Sequence, residues 1–427
     1  VVNNASCKKE SSAGVRSASD NENGSYAMQH LPNDTYDVTL DQFGQIATVY
    51  GDPGFPASTD VVGGNDTVTA SVAALNAKLT IFGDDHTMLL GHSQGGNDTL
   101  IADIDGGWDT ALVVGDTQSM IDDSKGGNDT IVADAGRTIY TTISAFGDVA
   151  GDMSGNAQGG HDDITGSIAW RGGANLFAGD AGGSMMDTSH GGNDTLDVAV
   201  LTTDGGATVS GDAIGSLRGL AQGGNDNLTV TLNGGSPISS GALFGDSAET
   251  LMDFAQGGDD VLTVKLDGQY AEAGAQMYGD APTMVGNSHG GNDVLNGGAG
   301  RDFMYGDARI YEPATPGSIT GGVDTLNGGA GDDRMWGGGN SDLFVFNTGS
   351  GNDTIVDFGQ GNKAVGSTAV EQDLIDVQDY GFADWTALSK LISDNSAGDA
   401  VIHLSANDSI TLDGVHTANL HPTDFII

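Results

Sequence analysis

Two short motifs recur along this chain with one shared period, and that recurrence limits the available folds more than any other feature. Gly-Gly-x-Asp places its aspartate at Asp66, Asp98, Asp129, Asp162, Asp194, Asp226, Asp260, Asp293 and Asp324, in steps of 31 to 34 residues. Gly-Asp places its aspartate at Asp52, Asp84, Asp116, Asp148, Asp180, Asp212, Asp246, Asp280 and Asp307, and its first five steps are all 32. Self-similarity at such a period is the signature of a solenoid. One repeat cannot bury its apolar side alone, so stacked repeats align like residues into continuous columns.

Each repeat has the same internal order. After Gly-Gly-x-Asp come alternating segments such as 195–201 (TLDVAVL) and 227–232 (NLTVTL). Period-two alternation rich in β-branched residues reads as a strand. An apolar residue then precedes Gly-Asp (Phe82, Val114, Phe146, Phe244, Tyr278, Tyr305), and a third apolar position follows at Met88, Met120, Met153, Met185, Leu217, Met252 and Met284. The pattern predicts about three strand-turn units per repeat, with the methionine column as core filling.

Composition narrows the partners. Fourteen Lys and Arg against 59 Asp and Glu give a formal charge of −45, and nearly all the acid is Asp. Such a charge repels nucleic acid and anionic membrane surfaces. No apolar run is long enough to insert into a membrane. A single Cys precludes a disulfide within the chain. The 70 glycines mark positions that need a positive φ or close backbone approach. Carboxylates placed this regularly point to bound cations rather than to a merely solvated acidic surface.

Towards the C-terminal end the repeat collapses to nine residues. The segments 297–305 (GGAGRDFMY), 328–336 (GGAGDDRMW) and 337–345 (GGGNSDLFV) follow G-G-x-G-x-D-x-U-x. Here the chain resembles the repeats-in-toxin (RTX) family of secreted calcium-binding proteins. The strict motif spans only about 290–360, and the 32-residue repeats are a looser variant.

The resemblance implies multiple Ca2+ ions, each shared by turns of successive coils through Asp side chains and glycine carbonyls. The sixth-position aspartate carries over to Asp302, Asp333, Asp342 and Asp353, and less directly to the Gly-Gly-x-Asp residues Asp66 to Asp324. The Gly-Asp residues Asp84, Asp116, Asp148, Asp180, Asp212, Asp246, Asp280 and Asp307 depart from the family pattern. For them two readings stay open: metal ligand, or side chain that stabilises a turn.

The segment 91–95 (GHSQG) matches the G-x-S-x-G elbow of serine hydrolases, but it lies in a repeating turn where Ser93 is replaced by Ala157, Ala221 or Ala255. An elbow needs a strand, a sharp turn and a helix, and no helical pattern follows. No enzymatic activity is expected.

The predicted fold is all-β: a right-handed parallel β-roll or β-helix with a β-rich C-terminal cap holding one short helix over 382–393. The expected divisions are a polar leader or arm (1–45), long repeats (46–326), nonapeptides (327–360) and a cap resembling the RTX type I secretion-signal region (361–427). The expected function is a secreted or cell-surface structural protein that folds on Ca2+ after export and self-associates or engages a matrix partner. A calcium-dependent glycan-binding adhesin, or the RTX part of a larger secreted enzyme, are the alternatives.

Overall fold

In the computed structural model the chain forms a parallel β-solenoid of about ten coils, one coil per 32-residue repeat. The residues described are 6–11, 29–52, 61–85, 87–135, 140–168, 174–201, 206–232, 242–266 and 274–427.

Each coil has three sides. The strand after Gly-Gly-x-Asp, such as Thr67–Val72 or Thr99–Ile104, joins the first sheet, with Thr67 paired to Thr99 and so on along the strand. The strand before Gly-Asp, such as Lys78–Phe82 or Thr110–Val114, joins the second. Both sheets contain 14 strands. The third side holds two-residue strands such as Met88–Leu89 and Ser119–Met120, linked to further coils by single bridges.

Strand alternation decides what is buried. In Thr195–Val200 the pattern sends Leu196, Val198 and Val200 inwards, where they meet Ala207 and Val209 of the second sheet in the main core. A separate small core fills the third side. It is a column of Leu89, Met120, Met153, Met185, Leu217, Leu251 and Met284. The expected column is corrected at two positions. Met88 is exposed and Met252 half-buried, while their neighbours Leu89 and Leu251 point inwards. A two-residue strand presents opposite faces at adjacent positions, so a one-residue shift exchanges which residue fills the core.

The nonapeptides shorten the coil. Thr325 pairs with Leu343, 18 residues on, so two nonapeptides make one two-sided coil and the third side disappears. The helix Gly361–Ala364 then brings Val365 onto the end of the small core. The expected helix over 382–393 is confined to Trp385–Leu388 and a 3-10 turn, Ser389–Leu391, with Asp384 accepting the Ala387 N–H as N-cap. Leu388 enters the main core and closes its last coil.

One end of each sheet gains antiparallel strands. The strand Ser6–Ser11, within the segment read as a leader, lies antiparallel on Asp34–Leu40, the first strand of the first sheet. The antiparallel strands Ile392–Asp394, Ala400–His403 and Ser409–Leu412 close the second sheet.

Core volumes compensate between sheets. Phe177 occupies the column of Ala145 and Val209, and Gly166 occupies that of Ala133 and Val198. A Cβ on Gly166 would run into the Phe177 ring. Gly166→Val is therefore expected to destabilise by about 1–3 kcal/mol through overpacking. Adding Phe177→Val should recover most of the loss. Thermal unfolding of the two variants checks this, and a single variant that melts like wild type would refute the pairing.

Candidate metal centre

The two motif aspartates of each coil flank the neck between the main stack and the third side. The Gly-Gly-x-Asp residues form a ladder. The backbone N–H of each donates to Oδ1 of its counterpart one coil on, from Asp66 to Asp98 at 2.6 Å through to Asp324 to Asp342 at 2.9 Å. The Gly-Asp residues close the neck from the other side. Each accepts the N–H of the second glycine in the following Gly-Gly: Gly127 to Asp116 at 2.9 Å, Gly224 to Asp212 at 2.8 Å, Gly322 to Asp307 at 2.5 Å.

Backbone donors thus engage one oxygen of each carboxylate. The other is often left over. Oδ2 of Asp98, Asp129, Asp162, Asp194, Asp226, Asp260, Asp293, Asp324 and Asp342 is buried without a hydrogen-bond donor among the described residues. So is Oδ1 of Asp84 and Asp116, and Oδ2 of Asp212, Asp246 and Asp280. The two rows meet. Asp84, Asp98 and Asp116 offer oxygens all within 4.8 Å of one another, as do Asp116, Asp129 and Asp148, and Asp148, Asp162 and Asp180.

Glycine makes this approach possible. A Cβ on Gly83 would overlap both Asp98 Oδ2 and the Gly115 carbonyl oxygen, and one on Gly95 would overlap Asp116. A backbone carbonyl and carboxylates therefore converge on the same space. The glycines of these two motifs serve close approach, whereas a positive φ is confined to turns such as Gly91, Gly155 and Gly219.

Burial raises the carboxyl pKa of the two rows from Asp84 to Asp342. Asp98 and Asp116 are held well above the ordinary range by desolvation, and the neighbouring aspartates add repulsion. Desolvation pushes Asp148 up to about 6 and Asp212 to about 7. A buried carboxylate either takes a proton or pairs with a cation. Hard divalent cations prefer oxygen ligands, and Ca2+ takes them at about 2.3–2.6 Å in a tolerant geometry. Three oxygens at the spacing seen here can touch one such ion with little adjustment. The side chains of these clusters are all carboxylates, which suits hard cations over the His and Cys sites of zinc. The residues therefore fit metal ions, repeated coil after coil.

The nonapeptide aspartates divide between two corners. Asp342 continues the main ladder. Asp302, Asp333 and Asp353 build a second one at the start of the second sheet, from Ala275 N–H to Asp302 at 2.7 Å, Asp302 to Asp333 at 2.8 Å and Asp333 to Asp353 at 2.9 Å.

Among the aspartates that escaped the sequence reading are the buried Asp34, Asp109 and Asp373 and the half-buried Asp357. Asp34 starts the main ladder, its N–H donating to Asp66. The signal was Asn33-Asp34-Thr35, which repeats Asn65-Asp66-Thr67 without the glycines. Asp373 ends the ladder by accepting Asp342 N–H at 3.0 Å, and only its 31-residue offset from Asp342 betrays it. Asp357 accepts Gly337 and Gly338 N–H, both at 3.0 Å. Asp109 accepts Ala77 N–H at 2.7 Å in the second corner.

Ser93 is fully buried, and its hydroxyl accepts the Val61 N–H. Its counterparts Ser124, Ala157, Ser189, Ala221, Ala255 and Ser288 are equally buried, so this column is packing and not a nucleophile elbow. No family model matches this chain, and no curated protein matches it either.

Two predictions follow from uncompensated charge. Asp116 sits in two of the three-aspartate groups, so Asp116→Asn should act with opposite signs. With divalent metal present it should lower the melting temperature and the number of ions bound. In chelator at pH 8 it should raise stability, because one buried charge is gone. Parallel melts with and without chelator decide, and destabilisation in both would refute a metal role.

The second concerns pH. Folded-state values raised above 3.8, to about 6, 7 and 8 for Asp148, Asp212 and Asp302, favour the protonated fold. Their contribution is complete below about pH 4 and is lost as pH rises through 6–8. Far-UV circular dichroism in chelator should therefore show more β structure at pH 4.5 than at pH 8.5. An unchanged spectrum would show that the buried carboxylates do not oppose folding.

Proposed function

We propose that this chain is an extracellular Ca2+-loaded structural rod that folds when it meets Ca2+ outside the cell. The reading rests above all on the double row of buried carboxylates, whose left-over oxygens face each other along the neck. Ca2+ is preferred over Mg2+ because the donors mix carboxylates with a carbonyl in an irregular array, and Mg2+ demands a small, near-ideal octahedron.

The mechanism is linkage. Without cations the rows repel and resist burial, and ordering so many glycines costs backbone entropy. With Ca2+, ion-binding energy becomes folding energy. Ca2+ is scarce in the cytosol and plentiful outside, so the chain stays exportable inside and rigid outside. The nonapeptides and the cap suit an RTX-type protein leaving by type I secretion.

The rod would then serve in a surface layer, matrix or filament. Most of the chain is taken up by repeat and cap, which favours a structural role over a catalytic one.

The test is a Ca2+ titration of chelated protein, following far-UV circular dichroism and light scattering together, with Mg2+ in parallel. β signal is expected with Ca2+ at millimolar or lower concentration and not with equal Mg2+. Growth in scattering after folding supports the assembling rod. Full β structure in excess chelator at pH 8 would overturn calcium-driven folding, and folding without any later association would overturn assembly through Ca2+ alone.

A further inference from the structure

The turn from the first sheet into the second carries large side chains that the turn itself does not favour. Gly44, Asn76, Trp108 and Tyr140 stand in one column there, each two residues before the aligned strand starts Ile46, Lys78, Thr110 and Thr142. All four have a positive φ, at 71°, 58°, 64° and 61°. Gly and Asn adopt this left-handed conformation readily, whereas a bulky side chain there is an outlier. Trp108 and Tyr140 thus hold under strain a turn that the two earlier coils hold without it.

The rings do not fill a core. Neither belongs to a buried cluster, and Trp108 is 61% and Tyr140 44% exposed. Their centroids are 4.4 Å apart and their planes tilt by 34°, so each covers one face of the other. An indole that is 61% exposed with one face covered keeps its opposite face open to water. That face turns towards the preceding coil, where Leu75 and Asn76 are both exposed. The Asn76 N–H donates to the Gly107 carbonyl at 2.8 Å, which ties this turn to that of Trp108. Strain held by an exposed aromatic pair points to a role outside folding.

We infer that this corner binds a neutral, flat saccharide of the β-linked glucan type, with the open face of Trp108 as its platform. The negative face of an aromatic ring attracts C–H groups, and a sugar whose hydroxyls are all equatorial presents C–H groups on both of its faces. The Asn76 amide beside the platform offers donors and an acceptor to the hydroxyls. Charge selects a neutral ligand. The exposed charges on the four described turns are Asp41, Lys78 and Asp105, on a chain of −45, so an anionic sugar is repelled. Size selects a small ligand over a second copy of the chain. Phe43, Leu75, Trp108 and Tyr140 form the apolar ridge and are 44–78% exposed. Side chains of this kind cover roughly 150–250 Å2 each, so the ridge offers at most about 600 Å2. A stable protein interface needs about 800 Å2 per partner.

The test uses the full chain, folded, at fixed free Ca2+. Cellohexaose is titrated by isothermal calorimetry, with hexagalacturonate as the charged comparator. Saturable binding of cellohexaose is expected, about 10-fold or more tighter than the uronate. The decisive variant is Trp108→Asn, which installs the residue of the preceding coil. It should weaken binding about 10-fold or more while the melting temperature holds or rises, because the strain is gone. Tyr140→Asn should act in the same direction, and Asn76→Ala should weaken binding without changing the circular dichroism spectrum. Four results would overturn the site: no saturable cellohexaose binding, equal or tighter binding of the uronate, binding that ignores Trp108→Asn, or a Trp108→Asn variant that melts lower than wild type. The last would show that the ring serves the fold. Sedimentation velocity completes the test, since self-association that Trp108→Asn abolishes would assign the ridge to a second copy and overturn the saccharide.

Discussion

The structure depends on a hydrogen bond that repeats from coil to coil: the backbone N–H of one aspartate to the carboxylate of the next. From Asp66 to Asp342 this bond adds a charge-assisted rung to the ordinary sheet ladder at the corner of every coil. It fixes the register of the first sheet, because a slip would strand the carboxylates. It also creates the central tension of the molecule. Each rung buries a negative charge and presents one oxygen to the neck. The Gly-Asp row faces it with more of the same, so the interaction that orders the stack also opposes it until cations or protons arrive.

The glycines follow from this constraint. Beside each carboxylate the backbone passes where a Cβ would stand inside the carboxylate itself, as at Gly83 against Asp98 and Gly95 against Asp116. No other residue leaves that room. The entropy that glycine adds to the unfolded chain is thus a second cost of the same arrangement. Both costs are offset by the same event, the filling of the neck, which makes folding steeply dependent on what fills it.

Much of this was legible in the sequence because the repeat is exact where physics is strict. A Cβ beside the buried carboxylate would overlap it, so Gly-Gly-x-Asp and Gly-Asp mark the neck in the long repeats. Legibility failed where the physics is looser. At the third side a two-residue strand fits either Met88 or Leu89, since both are apolar and only the pleat chooses between them. Asp34 and Asp373 were hidden because the terminal coils have lost the flanking Gly-Gly pair while keeping the rung. The short helix was overextended, since its apolar spacing runs on into Ile392, which turns out as the start of a strand. The aromatic and arginine columns were visible as letters, but only the register sets Phe303 beside Arg334 and Tyr305 beside Trp336.

Departures from the repeat therefore carry different information from the repeat itself. Positions that recur answer to the neck, the sheets and the two cores. Positions that change without harm to the stack are free to serve something else. The outer column before Gly-Asp passes through Phe82, Val114, Phe146, Ala178 and Ser210 before it becomes Phe244, Tyr278 and Tyr305. All of these positions are buried, so the volume that each coil needs there is set by its neighbours. The rings Phe244, Tyr278 and Tyr305 pack as a small buried cluster of their own, as Phe82, Val114, Phe146 and Ala178 do in earlier coils, so the column is repacked from coil to coil while the register of the stack stays the same.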